Sequence, residues 1–190
     1  MNDPSTLNTN GLRRAFASTR AVLAVVRDDQ LDAPTPCASW NVGALIRHVI
    51  DATRSARDAI DGITGRVADT DENHTVGDYL DTYDDGIRQT LAAFGALRAD
   101  ASLFGGGLPA SALLVMSTQD QFIHGWDLAR AVGHSTNLDP ELADGLLADA
   151  RTWVLDSHRG PDGVGLFGPA VPTSSDHPAD RLAAFLGREM

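Results

Sequence analysis

Four long stretches of the chain repeat apolar residues at the three- and four-residue spacing of an α-helix. These predicted helices cover residues 11–29, 42–63, 76–99 and 111–132, and Pro and Gly residues separate them. Each amphipathic helix has to bury its apolar face against another element. Four such helices therefore favour an all-α fold built as an antiparallel four-helix bundle.

The rest of the chain predicts additions to this bundle. Further helices are expected over residues 140–157 and 179–188, with an irregular Gly- and Pro-rich segment over residues 159–178 between them. Residues 65–75 are polar and acidic and predict a loop. A chain of 190 residues without an internal repeat or linker is the size of one domain, so residues 1–190 are interpreted as a single unit.

Charge and composition exclude several functions. The net charge of −11 argues against nucleic acid or an anionic membrane surface as a partner. The fifteen basic residues are all arginines, which rules out chemistry based on a lysine nucleophile. Cys37 is the one cysteine, so an intrachain disulfide is excluded, and no secretion signal or apolar run of membrane-spanning length is present. We expect a cytoplasmic protein.

A possible metal site is indicated by one helical pair and one distant histidine. Asp120 and His124 are spaced i, i+4, which places both side chains on one face of the fourth helix. His48 lies on the apolar face of the second helix. Two histidines and a carboxylate form a three-ligand set with an open position, as catalytic metals require. The pair is also compatible with an intrahelical hydrogen bond, and His48 alone with an ordinary core histidine.

Two nearby residues have alternative interpretations. Asp127 follows His124 by one helical turn and could support it, or could accept an ion pair from Arg130 or Arg47; the second, structural role is the favoured one. Cys37 could be a small buried apolar residue or a nucleophile, and no base near it in sequence indicates activation. The other histidines fall near predicted loops or helix ends, where surface positions are expected.

Three blocks of sequence carry a family resemblance. The run TPCASWNVGALIRH at residues 35–48, the run HGWDLARA at 124–131 and the run RLAAFLGR at 181–188 resemble blocks of actinobacterial DinB-like proteins. These proteins are related to the N-terminal domain of mycothiol-dependent maleylpyruvate isomerase. The resemblance extends over nearly the whole chain and implies a DinB-like four-helix bundle.

The resemblance also implies a metal centre. Its metal-binding members hold a divalent ion, usually zinc or nickel, with a histidine on the second helix and Glu-x-x-x-His on the fourth. Carried over to this chain, these ligands are His48, Asp120 and His124, with Trp40 and Asp127 supporting the site or its walls. Asp120 stands where relatives often have glutamate, and its side chain is one methylene shorter.

A function follows from the resemblance. A divalent ion with an open position lowers the pKa of a bound water or thiol. With mycothiol as cosubstrate, the expected activity is a transferase or isomerase reaction on a small electrophilic substrate. Maleylpyruvate isomerase activity itself is not expected, because the C-terminal domain of that enzyme has no counterpart here. Two alternatives remain open: a binding or interaction protein that has lost the metal, and an enzyme recruited to specialised metabolism. A homodimer is compatible with either.

Overall fold

A computed structural model of the protein describes residues 6–37, 40–63, 76–161 and 164–190. The predicted loop over residues 65–75 lies outside these ranges. The helices of the described residues are α1 Asn10–Leu23, α2 Val42–Asp61, α3 Val76–Gly95, α4 Ala110–Ala131, α5 Pro140–Trp153 and α6 Pro178–Phe185. Between α3 and α4, strands β1 (Ser102–Leu103) and β2 (Leu108–Pro109) form a small antiparallel pair, with Ser102 opposite Pro109. The all-α fold predicted from the periodicity is confirmed.

The helix ends follow from local chemistry. Asn41 caps α2, since its side-chain oxygen accepts the Ala44 N–H at 2.9 Å. Gly62 ends the same helix in the left-handed conformation. The first helix is shorter than predicted: it ends at Leu23, and residues 28–30 form a separate 3₁₀ turn. The periodic apolar pattern continues past Leu23 because Val26 still packs into the core from the connecting segment.

Helix α1 packs against α3 and α4, and α2 packs against the same two helices, so α1 and α2 occupy opposite corners of the bundle. Helices α1 and α4 are parallel, because Gly11 lies beside Thr118 and Thr19, about two turns further on, lies beside Gly125. Helices α2 and α3 are also parallel. The Arg47 guanidinium is 3.4 Å from the hydroxyl of Tyr79 near the start of both helices.

Helices α1 and α3 are antiparallel. The Leu7 N–H donates to the Leu97 carbonyl at one end of this pair, and Arg20 pairs with Asp84 further along. It follows that α2 and α4 are antiparallel as well. The first turns of α2 therefore lie beside the last turns of α4, at one end of the bundle.

Gln121 joins all four bundle helices through hydrogen bonds in the core. Its backbone carbonyl accepts the Thr19 hydroxyl of α1 at 2.6 Å, and its side-chain oxygen accepts the Tyr83 hydroxyl of α3 at 2.6 Å. Its side-chain N–H donates to the Val49 carbonyl of α2 at 3.0 Å. Burial raises the pKa of Tyr83 well above its ordinary value, so this phenol remains a neutral donor. These bonds set the position of α4 along its axis relative to α1, α2 and α3.

A second apolar cluster attaches the C-terminal helices to the bundle. Phe122 and Trp126 of α4 pack against α5 and α6, and the Trp126 indole N–H donates to the Asp180 carboxylate of α6 at 2.8 Å. Helix α4 thus contacts the other bundle helices on one side and the C-terminal helices on the other. None of the described helices combines the length and the apolar composition that a membrane span requires.

The contact between α1 and α4 depends on a small residue at position 125. A Cβ added to Gly125 would lie 2.3 Å from the Thr19 hydroxyl oxygen and 3.1 Å from the Thr19 Cα. We expect Gly125→Ala to destabilise the protein by about 1–3 kcal/mol, because α1 has to move away. Gly145→Ala on α5 is the matched control. Nothing lies within 4 Å of the added Cβ there, and alanine should stabilise the helix by about 0.5–1 kcal/mol. Urea unfolding measures both; equal effects would contradict the close approach.

The bond between Trp126 and Asp180 makes stability depend on pH. Burial raises the pKa of Asp180, but hydrogen bonds from Ser175 and Trp126 outweigh it and lower the pKa below its ordinary value. A carboxyl with a depressed folded pKa contributes stability above the unfolded pKa, about 3.9, and this contribution is lost as pH falls through the folded value. We expect wild type to be more stable than Asp180→Asn at pH 7 and this difference to shrink below about pH 4. Chemical unfolding at both pH values tests this.

Candidate metal centre

The donor atoms of three predicted ligands meet where α2 lies beside α4. His48 Nε2 is 3.3 Å from Asp120 Oδ1, and His124 Nε2 is 3.5 Å from the same oxygen. One donor atom of each residue lies within 4.8 Å of the other two. The crossing of α2 over α4 supplies this convergence, since His48 is in the second turn of α2, Asp120 is at the middle of α4 and His124 is one turn beyond it.

The spacing of these atoms suits a divalent ion. Donors bound to zinc at about 2.0–2.1 Å and at tetrahedral angles are about 3.3–3.4 Å apart, which is close to the two distances from Asp120. The second oxygen of Asp120 is buried and has no hydrogen-bond partner in the described part of the chain. Two imidazoles and a carboxylate are ligands that zinc and nickel accept. The residues present therefore fit the metal implied by the resemblance, including the shorter aspartate.

His124 is oriented by a carboxylate behind it. Its Nδ1 is 3.0 Å from Asp127 Oδ2, which directs Nε2 toward Asp120 and His48. Histidines that bind metals commonly donate their other ring N–H to a carboxylate in this manner. Asp127 is completely buried and also pairs with Arg188, whose guanidinium lies 3.1 Å from Asp127 Oδ2. The expected partners Arg130 and Arg47 are wrong: Arg130 is exposed, and Arg47 points to Tyr79.

Electrostatic effects in this cluster favour charged groups despite their burial. Burial lowers the pKa of His124, but its contacts with Asp120 and Asp127 raise it to about 9. Burial raises the pKa of Asp120, but the contacts with His124 and His48 outweigh it and keep the pKa well below its usual range. A metal binds imidazole only without a proton on the coordinating nitrogen, so a proton and a metal compete for His124 Nε2.

Trp40 covers the histidines. Its ring stacks on His48 with a centroid distance of 4.4 Å and meets His124 edge to face at 5.6 Å. Stacking restricts the His48 ring, whose side chain is 31% exposed, to orientations in which Nε2 can face Asp120. Trp40 thus lies at the position expected of a wall residue.

Cys37 lies beside the candidate metal centre, although no residue near it in sequence indicates this position. A second set of possible ligands consists of Cys37, His124 and Asp127, with donor atoms within 4.8 Å of one another. Asp127 is already bound to Arg188, so His48, Asp120 and His124 are the better set. Cys37 places a thiol at the edge of the same cluster.

A large cavity adjoins the cluster. Its volume is about 1410 Å³, above the roughly 300–1,000 Å³ of common ligand sites. Trp40, His48 and Asp120 line one part, and Trp153 with residues 165–169 and 187–189 lines another. The Gly- and Pro-rich segment therefore contributes to the cavity wall together with the end of the chain.

Sequence reasoning missed three contributors to this region: Arg188, Gln119 and Trp153. Arg188 closes the RLAAFLGR block, so that block carried a signal for it. Gln119 and Trp153 belong to no local motif, because their positions depend on how segments distant in sequence pack together. The sequence offers one hint for Gln119, which is a polar residue directly before Asp120 on a helix that is apolar nearly all round.

Comparisons with known proteins identify the family of the chain. Residues 12–129 match the model of the mycothiol maleylpyruvate isomerase N-terminal domain family, a range that contains His48, Asp120 and His124. The chain belongs to this family. It is 38% identical over 184 residues to the uncharacterized proteins Rv0738 and MT0763 of two Mycobacterium tuberculosis strains, H37Rv and CDC 1551, covering 93% of this chain and 94% of each relative. No solved structure is significantly similar to the chain.

Family membership relates the domain to mycothiol-dependent maleylpyruvate isomerase. The matched range ends at residue 129 and includes all but the first two residues of α1 and the last two residues of α4 among the four bundle helices. Arg188 and the wall residues of α5 lie beyond it. The family match therefore includes the three possible ligands and leaves out the C-terminal part of the cavity.

Proposed function

We propose that the protein binds a divalent metal ion through His48, Asp120 and His124 and carries out a mycothiol-dependent transfer or isomerisation on a small electrophilic substrate. The convergence of the three donor atoms within 4.8 Å at the wall of a cavity carries this proposal. When bound, zinc or nickel would lower the pKa of a coordinated thiol and so favour the nucleophilic form.

The protein side chains have separate roles in this proposal. Asp127 keeps His124 Nε2 directed into the site, and Arg188 balances the charge of Asp127. Trp40 restricts His48 and excludes water from one side. In a transferase reaction the thiol sulfur would form a bond to an electrophilic carbon as a leaving group departs. In an isomerase reaction the same thiol would add, and would leave after rotation about a carbon–carbon bond.

The cavity has room for both a thiol cosubstrate and a small substrate. Arg47 lines it, so an anionic group can be accommodated although the protein is acidic overall. A reducing cytoplasm is the proposed compartment, since it suits a low-molecular-weight thiol and a chain whose one cysteine, Cys37, cannot form an intrachain disulfide. A homodimer is compatible with this proposal and is not required by it.

A second candidate is a metal-independent small-molecule-binding or interaction protein. The contacts of His124 favour it. The ring lies between the carboxylates of Asp120 and Asp127, which balance the positive charge of a protonated His124 without a metal ion. The third candidate, an enzyme of specialised metabolism that uses the metal without mycothiol, has the same centre and a different cosubstrate.

Metal analysis and thermal unfolding separate these functions. We expect about one zinc or nickel ion per chain in the purified protein, and a higher Tm in the presence of mycothiol, because a ligand that binds the folded state stabilises it. Absence of metal after incubation with zinc and nickel would favour the binding protein. Stoichiometric metal without protection by mycothiol would favour the third candidate.

A further inference from the structure

The cavity beside the candidate metal centre continues away from it between α2 and α4. His48 Nε2 lies 3.3 Å from Asp120 Oδ1, and the two helices are antiparallel. Ala52 is therefore one turn forward from this contact on α2, and Met116 is one turn back from it on α4. Both residues line the cavity. The two helices thus place Ala52 and Met116 on opposite sides of the same space, next to the possible ligands.

The following turn extends this space. Ser55 of α2 and Leu113 of α4 are seven residues from the ligands that begin the path, and both line the cavity. Seven residues of α-helix cover about 10.5 Å. We call the part of the cavity between Ala52, Ser55, Leu113 and Met116 the trough. It runs for about 10 Å from the metal centre along both helices.

The trough is accessible to a ligand and mainly apolar. Met116 is 53% exposed, Ser55 is exposed, and Ala52 and Leu113 are half-buried. Ala52 and Ser55 are small and leave room on the α2 side, whereas Leu113 and Met116 present longer apolar side chains on the α4 side. An apolar group that covers these side chains removes their surface from water, which favours binding.

Two of the described arginines line the cavity on the other side of the metal centre. Arg47 precedes the α2 ligand, and its guanidinium lies beside the first turn of that helix. Arg188 binds Asp127, which follows the α4 ligands toward the helix end. Asp51, beside the trough, is paired with Arg54 at 3.2 Å. Polar groups of a reactant therefore find partners on the arginine side, and an apolar group fits the trough.

We propose that the trough binds an alkyl or aryl group of the electrophilic substrate while the reactive carbon faces the metal centre. This inference rests on the proposed function for the position of that carbon. A hydroxyl-rich thiol such as mycothiol would have its hydroxyl groups unpaired between Leu113 and Met116, so the trough suits the other reactant. The substrate class is then an amphiphilic electrophile with an apolar chain or ring system of up to about 10 Å.

Hydroxyalkyl thiols of increasing length measure the trough in cobalt-loaded protein. The probes 2-mercaptoethanol, 4-mercaptobutanol and 6-mercaptohexanol each carry one thiol and one hydroxyl group and differ in the number of methylene groups. Absorption of the cobalt–thiolate pair reports their Kd values. We expect the Kd to fall about tenfold from the two-carbon to the six-carbon probe, because four further methylene groups lose about half of their contact with water.

Met116→Gln and Ala52→Gln each make the trough polar, and the second variant also narrows it. We expect each variant to lose most of the dependence of the Kd on chain length. Val115→Gln is the matched control and should keep it, since Val115 is also exposed on α4, at 37%, but does not line the cavity. A Kd that does not fall with length in wild type, an unchanged dependence in both trough variants, or the same loss in Val115→Gln would overturn the trough.

Failure of the proposed function gives a different result. If cobalt does not bind, or no thiol produces an absorption band, the metal–thiol chemistry is wrong. The trough is then tested in EDTA with N-phenyl-1-naphthylamine, a neutral aryl dye whose fluorescence rises in apolar sites. Dye binding that weakens in Met116→Gln and Ala52→Gln and not in Val115→Gln supports a site for an apolar group. Equal binding by all four proteins, or binding by none, overturns it.

Discussion

His48→Ala is expected to abolish stoichiometric metal binding while the protein remains folded. The variant removes one of three donors, and Asp120 and His124 then share a single helix that offers no third ligand of the favoured set. Loss of a supporting partner of a ligand costs roughly 10–100-fold in metal affinity, and loss of a ligand itself should exceed this range. Competition with a chromophoric chelator measures the zinc Kd in both proteins.

His48 is suited to this test because its side chain is 31% exposed, so truncation leaves no large internal cavity. His134→Ala is the matched control: His134 is exposed beyond the end of α4, and its replacement should leave the Kd unchanged. Circular dichroism checks that both variants are folded. A zinc Kd within threefold of wild type for His48→Ala would show that the centre is not the metal site.

Arg188→Met is expected to destabilise the protein by about 3–5 kcal/mol, because it leaves the Asp127 carboxylate buried without its guanidinium partner. Asp127 is 0% exposed and Arg188 only 13% exposed, so water cannot replace the lost contacts. Burial raises the pKa of Asp127, and its contacts with His124 and Arg188 are what lower that pKa below its usual range. Urea unfolding in the presence of EDTA measures the change independently of metal.

The matched control for this variant lies on α6. Arg181 pairs with Asp144 at 2.8 Å, but these side chains are 43% and 58% exposed, so Arg181→Met should cost less than about 1 kcal/mol. The second variant Arg188→Met with Asp127→Leu removes both charges and should recover part of the loss. Similar losses for Arg188→Met and Arg181→Met would show that the buried pair contributes nothing special to the fold.

The bundle and three of its inward-facing polar residues could be predicted because the relevant signals are local. Helical spacing alone puts Asp120 and His124 on one face, and the stripe of α2 puts His48 inside. Their meeting depends on which ends of α2 and α4 are adjacent. Spacing within single helices does not determine this, and the family resemblance supplied it.

Other features depend on contacts between distant segments. Asp127 has two arginines near it in sequence or on the neighbouring helix, yet it pairs with Arg188 from the end of the chain. Local spacing favours a partner one turn away, but a completely buried carboxylate needs a partner that is buried too, and Arg130 is exposed. The burial of the Gln119 oxygen and the Trp153 indole nitrogen could not be predicted for the same reason, since it arises only when distant segments pack together.

The hydrogen bonds of Gln121 have a consequence for how sequences of this bundle can diverge. Sliding α4 by one turn would leave the Tyr83 hydroxyl and the Val49 carbonyl without their partner, so α4 is held in a single register by atoms that no metal touches. Asp120, the next residue, inherits its position from that register. The packing of the helices therefore does not depend on the possible metal ligands. Substitutions of those ligands can occur while the surrounding helices stay in place.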